Sequence, residues 1–418
     1  MIPAKNAEAR PNDRELTHSS RLRVLHILTT FNRSSGAALN ARITLNGLPR
    51  NRFRVFLAVP PLESAEEELA DDVTRFHVPS LQRSLNPLRD VAAFLSLYQL
   101  CRREKFDIVH THNSKDGFLG RWAAHLAGIP AIVHTIHNIP FRASRFRFPN
   151  KIYEIVERLT ASVTASLVAV SRENVRAYLA HGIGKPKQFR VVYSGLELGK
   201  YLIRENKAEA RRMLGLASEG HVAGWFGRLN YQKDPLTFIR AAQLMANVDP
   251  SIQFLVCGED PIGENLHPQV RQLVENLGLR ERVRFMGFRS DLPLVLTAVD
   301  CVMHSSRYEG MGRTICEALL CKRAVAGTNV DGVLEVIVSG QRGGLLVNPE
   351  DPRALADAAL TLLQQPERAR QLAEAGYAWV KANLSADKMI ADIVNVYNDL
   401  LPVIRKRTSA PQLNGETQ

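Results

Sequence analysis

The chain has 418 residues, 45% apolar and 23% charged, a globular balance that excludes disorder, collagen and coiled coil as overall descriptions. At roughly 100–200 residues per domain, two or three domains are expected. The net charge of +12 is lopsided: residues 1–200 hold 29 Lys and Arg against 17 Asp and Glu, whereas residues 201–418 hold 25 of each. An anionic partner that meets only the first half is therefore expected.

Residues 1–20 lack the apolar stretch of a signal peptide and are expected to be flexible. No later run approaches the ~18 apolar residues of a spanning helix. Short β-branched runs then recur at Arg23–Thr29, Arg54–Val59, Asp107–His112, Ala131–His137, Ser166–Ser171 and Arg190–Tyr193. A second series follows at Val222–Gly227, Ile252–Gly258, Val283–Phe288, Cys301–Ser305, Ala324–Gly327 and Gly344–Val347. Nearly continuous apolar character marks strands buried on both faces, as in parallel sheets. Helical patterns such as Leu88–Arg103 and Pro235–Met245 separate them. The rhythm is βαβα twice over, predicting two doubly wound α/β domains that face each other across a cleft.

The first domain is expected over residues 21–200 and the second over 220–385, joined by a charged linker at 201–219. A long helical pattern covers Pro366–Leu400; its end, residues 386–407, is expected to pack back toward the first domain, before a disordered tail at 408–418. The five cysteines, Cys101, Cys257, Cys301, Cys316 and Cys321, are sparse and odd in number. They read as buried thiols of a soluble, cytoplasmic chain.

Ligands of open α/β sheets bind beyond the carboxyl ends of the strands, so the loops there carry the chemistry. Arg307–Leu320 (RYEGMGRTICEALL) separates Glu309 from Glu317 by seven residues, with Gly310 and Gly312 opening a helix. The glycines permit close approach of backbone to ligand, and the amides of Met311 to Thr314 offer a helix N-terminus to an anion. Gly227–Asp234 (GRLNYQKD) follows a buried strand and places Arg228 and Lys233 where they suit a diphosphate. Solvated glutamates and a solvated basic loop are the bland alternatives.

These segments, with VRFMGFRSDLP, DGVLEVIVSGQRGGLLV, FDIVHTH, VHTIHN and LVAVS, resemble the retaining glycosyltransferases of family 4, over about residues 22–400. The resemblance implies the GT-B fold, two Rossmann-like domains, and transfer of a hexose from a nucleoside diphosphate sugar of the UDP or GDP type to a glycan or lipid-linked acceptor. It implies that Arg228 and Lys233 hold the donor diphosphate, that Glu317 takes the ribose and that Glu309 lies at the sugar. It also implies that Gly36, Gly227, Gly310, Met311, Gly312, Arg313 and Thr314 line the donor site, Phe288 the base, and His137 the reacting face. Glu335 falls where the family often carries a ligand-proximal glutamate. Arg313 stands where an apolar residue is usual; it either reads an acidic sugar or a phosphate, or points into solvent. No Asp-x-Asp triplet occurs, so metal-independent transfer is expected, with no cofactor and no protein base.

His110, His112, His134 and His137 gather at strand ends; a zinc site is conceivable, yet satisfied core histidines fit better. Phe141–Lys151 interleaves Phe141, Phe146 and Phe148 with Arg142, Arg145, Arg147 and Lys151. That composition suits a membrane interface or a lipid-linked diphosphate, stacked bases, or a solvated loop. The lopsided charge favours acceptor or membrane contact, at the inner face of the plasma membrane, and no nucleic acid is expected. A GT-B sugar-nucleotide 2-epimerase and a non-catalytic binding protein are the competing functions.

Overall fold

A computed structural model describes residues 21–33, 35–61, 66–142, 147–202, 205–260 and 266–408. The expected flexible segment 1–20 and residues 409–418 of the expected tail lie outside the described residues. Among the described residues no helix is long and apolar enough to cross a membrane.

Thirteen strands are described, in two parallel sheets. In the first half they are β1 (Leu22–Ile27), β2 (Phe53–Val59), β3 (Thr74–His77), β4 (Ile108–Thr111), β5 (Ala131–Ile136), β6 (Ser166–Ala169) and β7 (Phe189–Val191), ordered β3-β2-β1-β4-β5-β6-β7. In the second half they are β8 (Val222–Phe226), β9 (Gln253–Cys257), β10 (Val283–Gly287), β11 (Cys301–His304), β12 (Ala324–Thr328) and β13 (Gly344–Val347), ordered β10-β9-β8-β11-β12-β13. The order of each sheet reverses beside its first strand, between β1 and β4 and between β8 and β11. Adjacent crossovers leave on opposite faces there and open a crevice at the strand ends.

The apolar runs account for these strands: every residue of β4, β5, β6, β8, β11 and β12 is buried. Sequence reading misses β3. Its residues TRFH lie at the sheet edge, half-exposed, and so carry no apolar run.

The helical pattern at Pro366–Leu400 divides into Pro366–Asn383 and Ala386–Asp399, because Ser385 caps the second helix by accepting from the Lys388 amide at 3.2 Å. The second helix buries Met389, Ile393, Val394, Val396 and Tyr397 in the core around β1 and β2, each such side chain contributing about 1.5–3 kcal/mol. The break lies where the chain returns to the first sheet. The Leu196 amide donates to the Leu384 carbonyl at 2.7 Å and the Ala386 amide to Leu196 at 3.0 Å, so the two crossing strands of chain are tied together. The segment expected as a linker holds a helix, Lys207–Met213, that joins the second core through Ala210. Its buried Arg211 pairs with Asp300 at 2.6 Å.

Candidate functional site

The loops after β8 and β11, at the reversal of the second sheet, bring the basic loop and the paired glutamates together. Gly227 leaves β8 directly into Arg228, and Asp234 caps the helix Pro235–Val248. Lys233, held by its amide on the Asn230 side chain at 3.0 Å, reaches across to the Glu309 carboxylate. The same oxygen of Glu309 accepts from Ser306 Oγ at 2.7 Å and meets His304 Nε2 at 3.2 Å. Burial raises the Glu309 pKa, but the Lys233 ammonium and His304 outweigh it and hold the group well below the usual carboxylate range. Glu309 is thus a buried, permanently ionised acceptor. Arg228 approaches Gln232 at 3.4 Å along the same loop.

Gly312 adopts φ 72° as the N-cap of the helix Arg313–Leu320, a conformation that suits glycine. It supplies no capping side chain, so the first turn presents its amides to an anion. Met311 is buried and Thr314 half-buried behind that turn. Gly310 marks where the halves of the molecule meet. A Cβ there would stand 1.8 Å from the His137 carbonyl oxygen, so the motif's backbone presses on the loop after β5.

Glu317 accepts from the Tyr201 hydroxyl at 2.9 Å and from Arg313 Nε at 3.0 Å. Arg313 also donates to the Gly195 carbonyl at 3.1 Å. Of the two expectations for Arg313, pointing into solvent does not describe this: it is turned inward and bridges the second domain to the crossing chain. Glu335 accepts from the Arg172 amide at 2.7 Å and the Tyr193 hydroxyl at 2.9 Å, a tie between the halves. Phe288 follows β10, 48% exposed, its amide on Glu259 at 3.2 Å. Gly36 opens the helix Gly36–Gly47 after β1, where a Cβ would meet nothing within 4 Å.

On the first sheet, alternate strand residues share a face. That periodicity divides the expected four-histidine cluster. His134 lies on the other face, its Nδ1 on Thr111 Oγ1 at 2.9 Å. His110, His112 and His137 share one face with His26 of β1, which sequence reading missed. His26 sits inside an apolar run and becomes visible only when β1 pairs with β4 opposite His110. His137 Nε2 lies 3.1 Å from His112 Nδ1. Burial lowers His137 to about 4 and His26 to about 3, so both are neutral at pH 7. His304, Ser306 and Tyr201 were also missed; the first two sit in the segment HSSRYEG ahead of Glu309, whereas nothing local marks Tyr201.

The expected membrane-facing residues need correction. Phe141 is 4% exposed and packs on Tyr178, centroids 5.2 Å apart, because an aromatic ring at the foot of β5 completes that core. Arg142 pairs across the molecule with Asp331 at 2.8 Å. Arg145 lies outside the described residues, and Arg147 opens the helix Arg147–Ala161. That helix is inverted. Phe148, Ile152, Ile155 and Leu159 are exposed at helical spacing on one face. Glu154 and Glu157 are buried beneath it, Glu157 on the fully buried Arg121 at 2.9 Å.

The model described as Glycosyltransferase Family 4 matches residues 35–200, and that described as Glycosyl transferases group 1 matches residues 206–379. The UDP-Gal:alpha-D-GlcNAc-diphosphoundecaprenol alpha-1,3-galactosyltransferase of Escherichia coli is 32% identical over 307 residues, 73% of this chain and 78% of that protein. A D-inositol 3-phosphate glycosyltransferase of Corynebacterium glutamicum (strain R) is 28% identical over 326 residues, 74% of this chain and 77% of that one. Among solved structures, Anabaena Alr3699/HepE in complex with UDP and glucose superposes with a TM-score of 0.77 at 21% identity, covering 90% of this chain and all of that one. Sucrose-phosphate synthase of Thermosynechococcus elongatus reaches 0.80 at 21% identity, covering 91% of this chain and 100% of that one. At such identities the two superpositions speak for the fold.

Proposed function

The chain belongs to glycosyltransferase family 4 and has the GT-B fold, and from there we propose that it moves a hexose from a UDP or GDP sugar to a lipid-linked or glycan acceptor, with retention and without a metal. The observation that carries this reading is the meeting of Gly310 with the His137 carbonyl. It brings the loop that carries Glu309 and leads into the helix start at Gly312 against the loop that carries His137, and the donor sugar is proposed to lie beside this junction.

Transfer from a sugar diphosphate demands most where negative charge develops, on the departing diphosphate. Arg228, Lys233 and the amides from Met311 to Thr314 are the groups proposed to meet that demand. Glu309, kept ionised beside Lys233, is proposed to face the sugar, and Glu317 the ribose. Retention rests on the family resemblance, and metal independence on the lack of an Asp-x-Asp triplet in the sequence. A uridine donor and a polyprenyl-diphosphate acceptor are supported by the likeness to the Escherichia coli UDP-Gal:alpha-D-GlcNAc-diphosphoundecaprenol alpha-1,3-galactosyltransferase. The exposed face of Arg147–Ala161, flanked by the exposed Lys151 and Arg158, supports docking on an anionic membrane surface.

The test is nucleotide release from a panel of UDP and GDP hexoses with a polyprenyl-diphosphate-linked sugar as acceptor, with product anomericity read by NMR and turnover compared with and without EDTA. Lys233→Ala should lower kcat by roughly 100-fold or more, with circular dichroism verifying the fold. Full turnover in that variant, or none by the wild type with any donor, would overturn the reading.

A further inference from the structure

One face of the first sheet carries an unbroken line of hydrogen bonds that starts in the core and ends in the cleft. Thr135 Oγ1 lies 2.7 Å from His110 Nε2, and His110 Nδ1 lies 2.7 Å from the Tyr397 hydroxyl. That hydroxyl lies 3.2 Å from His26 Nε2, His26 Nδ1 lies 3.0 Å from His112 Nε2, and His112 Nδ1 lies 3.1 Å from His137 Nε2. Four strand-borne or strand-end imidazoles are joined through one phenol, and Tyr397 comes from the helix Ala386–Asp399, which reaches back from beyond the second domain.

A neutral imidazole has one N–H and one bare nitrogen. Where it is bonded at both nitrogens it must donate at one and accept at the other. His110, His26 and His112 are each bonded at both, and a phenol hydroxyl likewise donates once while accepting. From His26 through His112 to His137 every bond then runs in the same sense, and that sense continues to His110 when the Tyr397 hydroxyl accepts from one imidazole and donates to the other. The buried position of His26, His110 and His112 keeps them neutral and enforces this rule.

We propose that Tyr397 is a positioning residue which, through His26 and His112, fixes the nitrogen of His137 that carries the proton. The inference rests on the reading of His137 as a group at the reacting face. With the line intact, His137 exists as one tautomer and its cleft-facing edge has a single hydrogen-bonding character. Without the hydroxyl, the His26–His112 and His112–His137 bonds still share a direction but lose the partner that biases it, and His137 populates both tautomers. This gives the returning helix a part in the chemistry besides core packing.

A metal centre is the competing reading, since candidate ligand atoms of His26, His110 and His112 lie within 4.8 Å of one another. The rings argue against it. His110 and His112 are stacked with centroids 4.6 Å apart and planes at 17°, and His26 and His112 at 5.2 Å and 20°. Their nitrogens point along the line at one another rather than at a common centre.

The full-length protein labelled with 15N-histidine reports the tautomer directly through its imidazole nitrogen shifts, with His137 assigned by substitution. In the wild type His137 should show one tautomer. In Tyr397→Phe, which keeps the ring, and in His26→Gln, which breaks the line elsewhere, it should show a mixture. Both variants should lose roughly tenfold in kcat with an unchanged KM for the sugar nucleotide. An identical His137 spectrum in wild type and both variants would overturn the proposal, as would a mixture already present in the wild type. Tight uptake of one equivalent of zinc that perturbs all three core imidazoles would overturn it too. If the tautomer shifts while neither these variants nor His137→Ala changes turnover, the line stands and the placement of His137 at the reacting centre falls.

Discussion

Charge at the site is set residue by residue. Glu309 is surrounded by donors from Lys233, Ser306 and His304, so a group that burial alone would neutralise stays ionised. The histidines of the first sheet show the opposite outcome, because burial disfavours their charged form and no carboxylate offsets it. Their depressed values make stability depend on pH. An unfolded imidazole titrates near 6.5, whereas His26 and His137 titrate at about 3 and about 4 in the fold. Between those limits the unfolded chain binds more protons, so their contribution is complete above 6.5 and is lost as pH falls toward 4. The melting temperature should therefore drop between about pH 7 and about pH 5, and His26→Gln should flatten that slope. Gly310 matters for shape instead of charge. Since a Cβ there would overlap the His137 carbonyl, Gly310→Ala should cut kcat/KM by roughly 100-fold while leaving the melting temperature near that of the wild type.

Among the elements, the helix Arg147–Ala161 departs most from soluble-protein patterning. Its apolar stripe faces out and its carboxylates face in, because Arg121, fully buried from the neighbouring helix, needs Glu157 as its counter-charge. An uncompensated charge there would cost about 3–5 kcal/mol, which keeps the polar face inward and leaves Phe148, Ile152, Ile155 and Leu159 outside. The double variant Phe148→Glu with Ile152→Glu should abolish co-sedimentation with anionic vesicles. It should leave thermal stability unchanged, since the two positions are 76% and 47% exposed. Sedimentation equal to the wild type would remove the membrane role of this helix.

For the whole molecule, the two halves are joined by the apolar face of the returning helix Ala386–Asp399, by Val170 and Leu196 packed in the core of the second half, and by a few polar ties. Arg313 to the Gly195 carbonyl, Arg142 to Asp331, and Glu335 to Arg172 and Tyr193 join parts more than 100 residues apart in sequence. Glu335 accepts from two residues of the first half at once and so helps hold the halves together. Glu335→Ala should raise the radius of gyration measured by small-angle scattering and raise KM for the sugar nucleotide, with each half retaining its own melting transition. An unchanged scattering profile would show that the remaining ties suffice.

The buried strands were legible because parallel strands covered on both faces are mostly apolar, as β8 is throughout and as β4, β5 and β11 are apart from their histidines and threonines. The sequence places Lys233, Glu309 and Gly310 in loops just past buried strands, and the structure joins Lys233 to Glu309 there, while Glu317, on the helix that follows, pairs instead with Tyr201 and Arg313. Other features are contacts between distant segments, and no local pattern encodes them. Phe141 could turn either way until Tyr178 gave it a surface to pack on. Arg313 could turn toward a ligand or toward solvent, and only the tertiary structure brings it to the Gly195 carbonyl. His26 and Tyr397, 371 residues apart, acquire a shared role only when β1 pairs with β4 and the last long helix lies across them. Periodicity and turn chemistry act over a few residues, so they fix elements. Which side chains meet depends on how those elements pack, and that the tertiary structure alone decided.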